Sequence, residues 1–232
     1  MRNEGLTIGL GPQWLVLYRD FAVNRQGRFV DSLGKQKQDF TSFFRPIFQN
    51  GNYAEVLGAV EWIVRKTTSV SLHRKFEKAL ADERCAYRLI EKSMIPVASP
   101  EEGNAVKGAV EALSGPGLGG ARGHLLKAGS ALTIGNYADS VRESIHAVES
   151  VARSRTGKSS LSSALAELSE KHPLHPALSK GFNSIYGYTS DANGIRHPMV
   201  GEDAAQVGEA EAIFMLGACA SFVTFLASIS RD

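Results

Sequence analysis

The sequence of 232 residues has few cysteines and no excess of either charge. Its two cysteines, Cys85 and Cys219, are too few for a disulfide framework, and neither lies in a metal-binding motif. The 26 basic side chains nearly balance the 24 acidic ones, which excludes a strongly basic coat for nucleic acid but allows a local basic patch. We therefore expect an ordinary globular protein with free thiols in a reducing cytoplasm.

Long hydrophobic runs are also scarce. The first fourteen residues contain no apolar stretch of signal-peptide length, so no signal peptide is expected. Residues 212–230 carry no charge and approach the roughly 20 residues that cross a bilayer. Because this run is rich in alanine, serine and glycine and lacks flanking anchors, we expect a helix buried in a bundle rather than a membrane span.

Helical periodicity dominates from residue 39 onward. Apolar side chains recur at three- and four-residue spacing, as in the series Tyr53, Val56, Leu57, Val60, Ile63 and Val64. Ser99, followed by a proline and two glutamates, is typical of a helix start. Residues 14–21 fit either a strand or a short helix, and residues 87–97 suggest a small hairpin. The sequence predicts a mainly α fold.

Residues 114–123 interrupt this pattern with a cluster of glycines and a proline, which cannot continue a helix cheaply. We place a domain boundary there, between a helical N-terminal domain over residues 1–115 and a helical bundle over residues 116–232. The bundle should contain four helical segments and a shorter fifth one. The predicted segments are residues 121–132, 136–155, 159–171 and 202–230, with the shorter one at 175–186.

Two glycine patterns resemble nucleotide-binding motifs. The run from Gly115 to Gly120 is a loose dinucleotide fingerprint, and residues 152–159 fit a relaxed P-loop string. Both motifs need a preceding strand, whereas the residues before Gly157 form a helical stripe. Gly157 then fits a helix C-cap, and Ser159 or Ser160 fits the next N-cap. We expect no ATP binding through this string.

Polar chemistry is concentrated in the second half of the chain. On the helix predicted at 136–155, Glu149 lies at the edge of the apolar face, near Arg142 and His146. This glutamate is either a solvated flank or a partly buried acid with a cationic partner. The turn-rich segment 186–198 adds Arg196 next to His197, a phosphate-binding cation beside a group that titrates near neutrality. This segment is equally compatible with a structural loop whose arginine caps helix carbonyls.

These segments resemble the C-terminal HEPN-type domain of abortive-infection proteins. The specific strings are Ala147-Val148-Glu149-Ser150 and Tyr-Gly-Tyr-Thr-Ser-Asp followed by Gly-Ile-Arg-His. The resemblance covers the chain from about residue 116, and residues 39–113 are weakly similar to the helical N-terminal domain of J-type abortive-infection proteins. It implies a dimerising helical bundle and, as in many members, a metal-independent endoribonuclease with no cofactor.

The resemblance also implies a site. Arg196 and His197 would be catalytic, with Glu149 orienting them, at a polar groove of the C-terminal domain. The other residues that we expect to contact substrate in this groove are Asp191, Asn193, Arg142 and His146. The homodimer would use the C-terminal bundle, where Gly217 and Ser221 would allow close helix approach.

The chain departs from the family's catalytic pattern, which is an arginine, then four to six intervening residues, then a histidine. Gly201, Glu202 and Asp203 stand where that histidine is expected after Arg196. Two functions therefore remain open. The first is a cytoplasmic phage-defence endoribonuclease, and the alternative is a catalytically inactive HEPN module that binds RNA or a partner protein of a defence system. Neither requires a membrane.

Overall fold

The computed structural model describes residues 11–171, 174–191 and 207–229, and of residues 171, 190 and 191 it describes the backbone alone. Within these ranges the chain is mainly helical with one two-stranded hairpin, as predicted. Two compact units divide at residue 78, one covering residues 1–78 and the other residues 79–232. The boundary predicted at residue 115 falls inside the second unit, because hairpin residues Ile90 and Ile95 share one core with the later helices.

The first unit is built from short helices around aromatic side chains. It contains α1 (Pro12–Asn24), a 3-10 turn (Val30–Ser32), α2 (Lys37–Asn50) and α3 (Tyr53–Lys66). The next helix, α4 (Val70–Asp82), begins in this unit and ends in the second. Residues 14–21, which fitted either a strand or a short helix, are therefore helical and belong to α1. Edge-to-face contacts such as that of Phe21 with Trp62, at 4.9 Å between ring centroids, fill the core.

The second unit begins with the predicted hairpin, which pairs β1 (Tyr87–Ile90) with β2 (Ser93–Pro96) in antiparallel register. Glu91 and Lys92 form the turn, and both have positive φ (48° and 66°). Positive φ at both positions is typical of the two-residue turns whose twist matches that of the flanking strands. Thr133 anchors the hairpin to a later helix by donating its hydroxyl to the carbonyl of Met94 at 2.6 Å.

Six helices complete the described part of the second unit. They are α5 (Pro100–Ala112), α6 (Gly119–Thr133), α7 (Tyr137–Thr156), α8 (Leu161–Lys171), α9 (Pro176–Asp191) and α10 (Glu209–Ser228). Ser99 caps α5 as predicted, by accepting a hydrogen bond from the backbone of Glu102. The glycine-rich break predicted over residues 114–123 ends earlier than expected, because α6 already begins at Gly119. Of the last helix predicted at 202–230, residues 202–206 and 230 lie outside the described residues.

Gly157 ends α7 at a positive φ of 74°, the left-handed cap that the sequence suggested. A P-loop needs a strand before it, whereas the residues before Gly157 in the P-loop-like string belong to α7. The amine of Lys158 lies 3.3 Å from the carboxylate of Glu167 on α8. This lysine therefore links two consecutive helices of the unit.

The last helix, α10, is long and apolar enough to cross a membrane, by length and composition alone. In the structure, 44% of its most apolar window is buried, including Met215, Cys219 and Val223. It packs against α5, α6 and α7. This packing is compatible with the expected bundle helix, and the choice of a bundle helix over a membrane span remains a prediction.

Candidate functional site

The long helix α7 carries the candidate residues of the second unit that the structure describes. Its N-terminus is capped by Asn136, whose side chain accepts from the backbone of Asp139. Near its C-terminus, Arg155 donates a hydrogen bond to the carbonyl of Ala227 at the end of α10. Both ends of α7 are therefore held by hydrogen bonds.

One face of α7 is polar and reaches solvent. Arg142, His146, Glu149 and Arg153 follow one another at spacings of four, three and four residues, so they share one stripe of the helix. The first three are half-buried, and Arg153 is exposed. The side chains that α7 buries lie on its other faces; they include Val141, Ser144, Ile145, Val148, Val151 and Ala152. The sequence placement of Arg142, His146 and Glu149 near one another is correct.

Arg142 is partly neutralised, because its guanidinium pairs with the carboxylate of Asp139 one turn earlier. Both side chains keep about a third of their surface exposed, at 31% and 36%. An ion pair this accessible contributes little stability, on the order of 0–1 kcal/mol. The pair with Asp139 therefore does little to stabilise this end of α7.

A second group forms where α6 meets α7. The Nδ1 atom of His124, on α6, lies 2.7 Å from Oε2 of Glu143, on α7. The rings of His124 and His146 meet edge to face, with centroids 5.4 Å apart. One ligand atom from each of His124, Glu143 and His146 lies within 4.8 Å of the other two. The structure thus brings His146, a predicted substrate-binding residue, into a cluster of potential metal ligands.

Sequence reasoning missed His124 and Glu143. A signal was present, because Glu143 and His146 are three residues apart on a helix, and such a pair projects on one side as ligands in helical bundles do. His124 gave no comparable signal, since its position opposite the pair depends on how α6 packs on α7.

The other predicted site residues lie at or beyond the end of α9. Asp191 is its last residue, and its side chain lies outside the described residues. Asn193, Arg196 and His197 also lie outside the described residues. The predicted approach of Arg196 and His197 to Glu149 therefore stays a prediction.

The first unit contains a cavity of about 670 Å³ that sequence reasoning did not anticipate. Its lining includes Trp14, Asp20, Lys66 and Lys75. The amine of Lys66 lies 3.1 Å from the carboxylate of Asp20 and, by hydrogen bonding, holds the pKa of that carboxyl below its ordinary value. The cavity wall therefore combines charged side chains with the indole of Trp14.

Comparisons with models of known protein families, with curated proteins and with solved structures give no match.

Proposed function

We propose that the C-terminal part of the chain is a HEPN-like domain that acts on RNA in phage defence. The observation that carries this proposal is the polar stripe of α7, where Arg142, His146 and Arg153 lie on the same side of the helix as Glu149. Arginine and imidazole groups in a row suit the phosphates of an extended nucleic acid, whose binding is dominated by such contacts. The near-neutral total charge makes this a local patch rather than a general affinity for polyanions.

The cleavage chemistry proposed for this domain needs no metal. His197 takes the proton from a ribose 2′-hydroxyl, and the 2′-oxygen then attacks the adjacent phosphorus. Arg196 stabilises the negative charge that develops on the pentavalent phosphorus. The bond to the 5′-oxygen breaks, the leaving oxygen takes up a proton, and a cyclic phosphate remains. Glu149 orients these two side chains, as supporting carboxylates do in other catalytic sites.

The second candidate is a HEPN-like module that binds RNA or a partner protein without cleaving it. It is favoured by Gly201, Glu202 and Asp203, which occupy the positions of the family's second catalytic residue. The stripe of α7 serves this function equally well, because binding requires the arginines of the stripe and no base.

An RNA-cleavage assay with wild type and an Arg196→Ala variant separates these functions. If the domain is a nuclease, the variant loses cleavage while its melting temperature stays close to that of wild type. If Arg196 is a buried partner of Glu149, the variant is destabilised by roughly 3–5 kcal/mol, the cost of stranding a buried charge. Absence of cleavage by wild type, with RNA binding retained, supports the second candidate.

The contribution of α7 is tested by RNA binding of an Arg153→Glu variant. We expect weaker binding and a shallower dependence on salt, because one phosphate contact is lost. Arg74→Glu makes the same charge change at an exposed position of α4 in the first unit and serves as the matched control. Equal affinities of wild type and Arg153→Glu would rule out the stripe as the RNA-binding surface.

A further inference from the structure

The surface between α6 and α7 holds three side chains whose chemistry the proposed RNA function does not use together. These are His124 on α6 and the pair of Glu143 and His146 on α7. The α7 pair is three residues apart, so both side chains leave the helix on one side. His124 faces them because α6 packs closely on α7. Where Gly120 lies, an added Cβ would be only 3.2 Å from Oγ of Ser150.

The ligand atoms already lie near the separations that a bound metal requires. A tetrahedral zinc ion with bonds of about 2.0–2.2 Å places its ligand atoms roughly 3.3–3.6 Å apart. His124 Nδ1 and Glu143 Oε2 are 2.7 Å apart, and no pair within the trio exceeds 4.8 Å. Small side-chain rotations that open the first pair and close the widest one would therefore form the site.

The ligand types are those of known metal centres. Two imidazoles and one carboxylate bind zinc in open sites, with water or a ligand at the remaining position. The same combination also binds other divalent transition metals. The side chains of His124 and Glu143 are 32% and 20% exposed, so an ion can enter from solvent and keep at least one position open.

The two arginines nearest the cluster in sequence each pair with another carboxylate. Arg142, next to Glu143 in sequence, pairs with Asp139. Arg122, two residues before His124, pairs with Glu91 of the hairpin turn at 2.6 Å. Each arginine thus has its own carboxylate, and the charge of Glu143 remains available to the ion.

We propose that His124, Glu143 and His146 form a binding site for one divalent transition-metal ion, with Zn²⁺ the best match. The site joins α6 to α7 and leaves a coordination position open to solvent. This goes beyond the proposed RNA function and does not depend on it, and it departs from the expectation that the chain needs no metal.

The test is calorimetric titration of the tag-free full chain with Zn²⁺ at neutral pH, together with the absorption spectrum of the Co²⁺ form. We expect one ion per chain, a rise in melting temperature on binding, and visible bands typical of nitrogen and oxygen ligands at low coordination number. A wild-type chain that binds no stoichiometric Zn²⁺ would overturn the proposal.

Variants show whether these three residues are the ligands. His124→Ala and His146→Ala should each weaken binding by at least about 100-fold, beyond the 10–100-fold typical of residues that only support ligands. His146→Asn replaces the alanine variant if that variant fails to fold. The control is His73→Ala, since His73 contacts Thr67 in the first unit and should not affect binding. Unchanged affinity in folded His124 and His146 variants would overturn the proposal, because the ion would then bind elsewhere.

Discussion

At the scale of single residues, Cys219 illustrates how burial suppresses reactivity. Its side chain is 1% exposed within the core of the second unit, and this burial raises the pKa of the thiol to about 12. Because the thiolate is the reactive form, at pH 8 we expect iodoacetamide to label Cys85, which is partly exposed, and to spare Cys219. Mass spectrometry of native and unfolded protein measures the labelling.

The control for this experiment is Cys85→Ser, in which the native protein should take up no label and the unfolded protein one. Labelling should remain absent in the native state throughout the mildly alkaline range, because that range lies far below the folded-state pKa. Modification of native Cys219 at the rate of Cys85 would show that the α10 core opens readily.

At the scale of elements, the approach of the hairpin to α6 depends on a single glycine. A Cβ added at Gly129 would lie 2.4 Å from Cδ1 of Ile95, a β2 side chain that is 1% exposed. We expect Gly129→Ala to lower the free energy of unfolding by about 1–3 kcal/mol, because the well-packed core must shift to admit the methyl group. Chemical denaturation measures the change.

Gly108→Ala is the matched control, since Gly108 is an exposed position inside α5 where an added Cβ meets nothing within 4 Å. That substitution should stabilise the protein by about 0.5–1 kcal/mol through helix propensity alone. If both variants were stabilised equally, the contact between the hairpin and α6 would have no energetic role.

The same elements show what sequence can and cannot specify. The hairpin, the Ser99 cap and the Gly157 cap were predictable, because each depends on neighbouring residues and their local chemistry. The start of α6 at Gly119 was not, since glycines lower helix propensity and only tertiary packing offsets that cost. His124 was missed for a related reason: a local pattern cannot show which face of one helix meets another.

The candidate site likewise has a part that the local sequence predicts and a part that it does not. The spacing of Arg142, His146 and Glu149 on one helix followed from periodicity, and the structure agrees. The association of this stripe with Arg196 and His197 came from family resemblance, and it remains a prediction.

At the scale of the whole molecule, we predict a homodimer formed through α10. Phe214 is 61% exposed on this helix, and Ser221 is also exposed. Gly217 approaches α5 within the unit, where an added Cβ would lie 2.5 Å from Oε1 of Glu102, and its part in the interface stays a prediction. Phe214 is the main candidate for an apolar contact between copies.

Light scattering at micromolar concentration should give a dimer for wild type and a monomer for Phe214→Glu, because a charge in an apolar interface cannot be paired. Tyr53→Glu places the same charge at an aromatic residue that is 70% exposed in the first unit, and it should remain dimeric. A monomeric wild type, or identical masses for both variants, would argue against an interface on α10.

The central position of α7 determines the size of ligand that its polar face can accept. α7 contacts α6, α8, α9 and α10, so its backbone cannot bend without disturbing the core that these helices share. Arg142 and Arg153 are eleven residues apart, which is about 16 Å along an α-helix. The helix therefore holds the two arginines at a fixed separation, and a ligand that contacts both at once must extend over about that length.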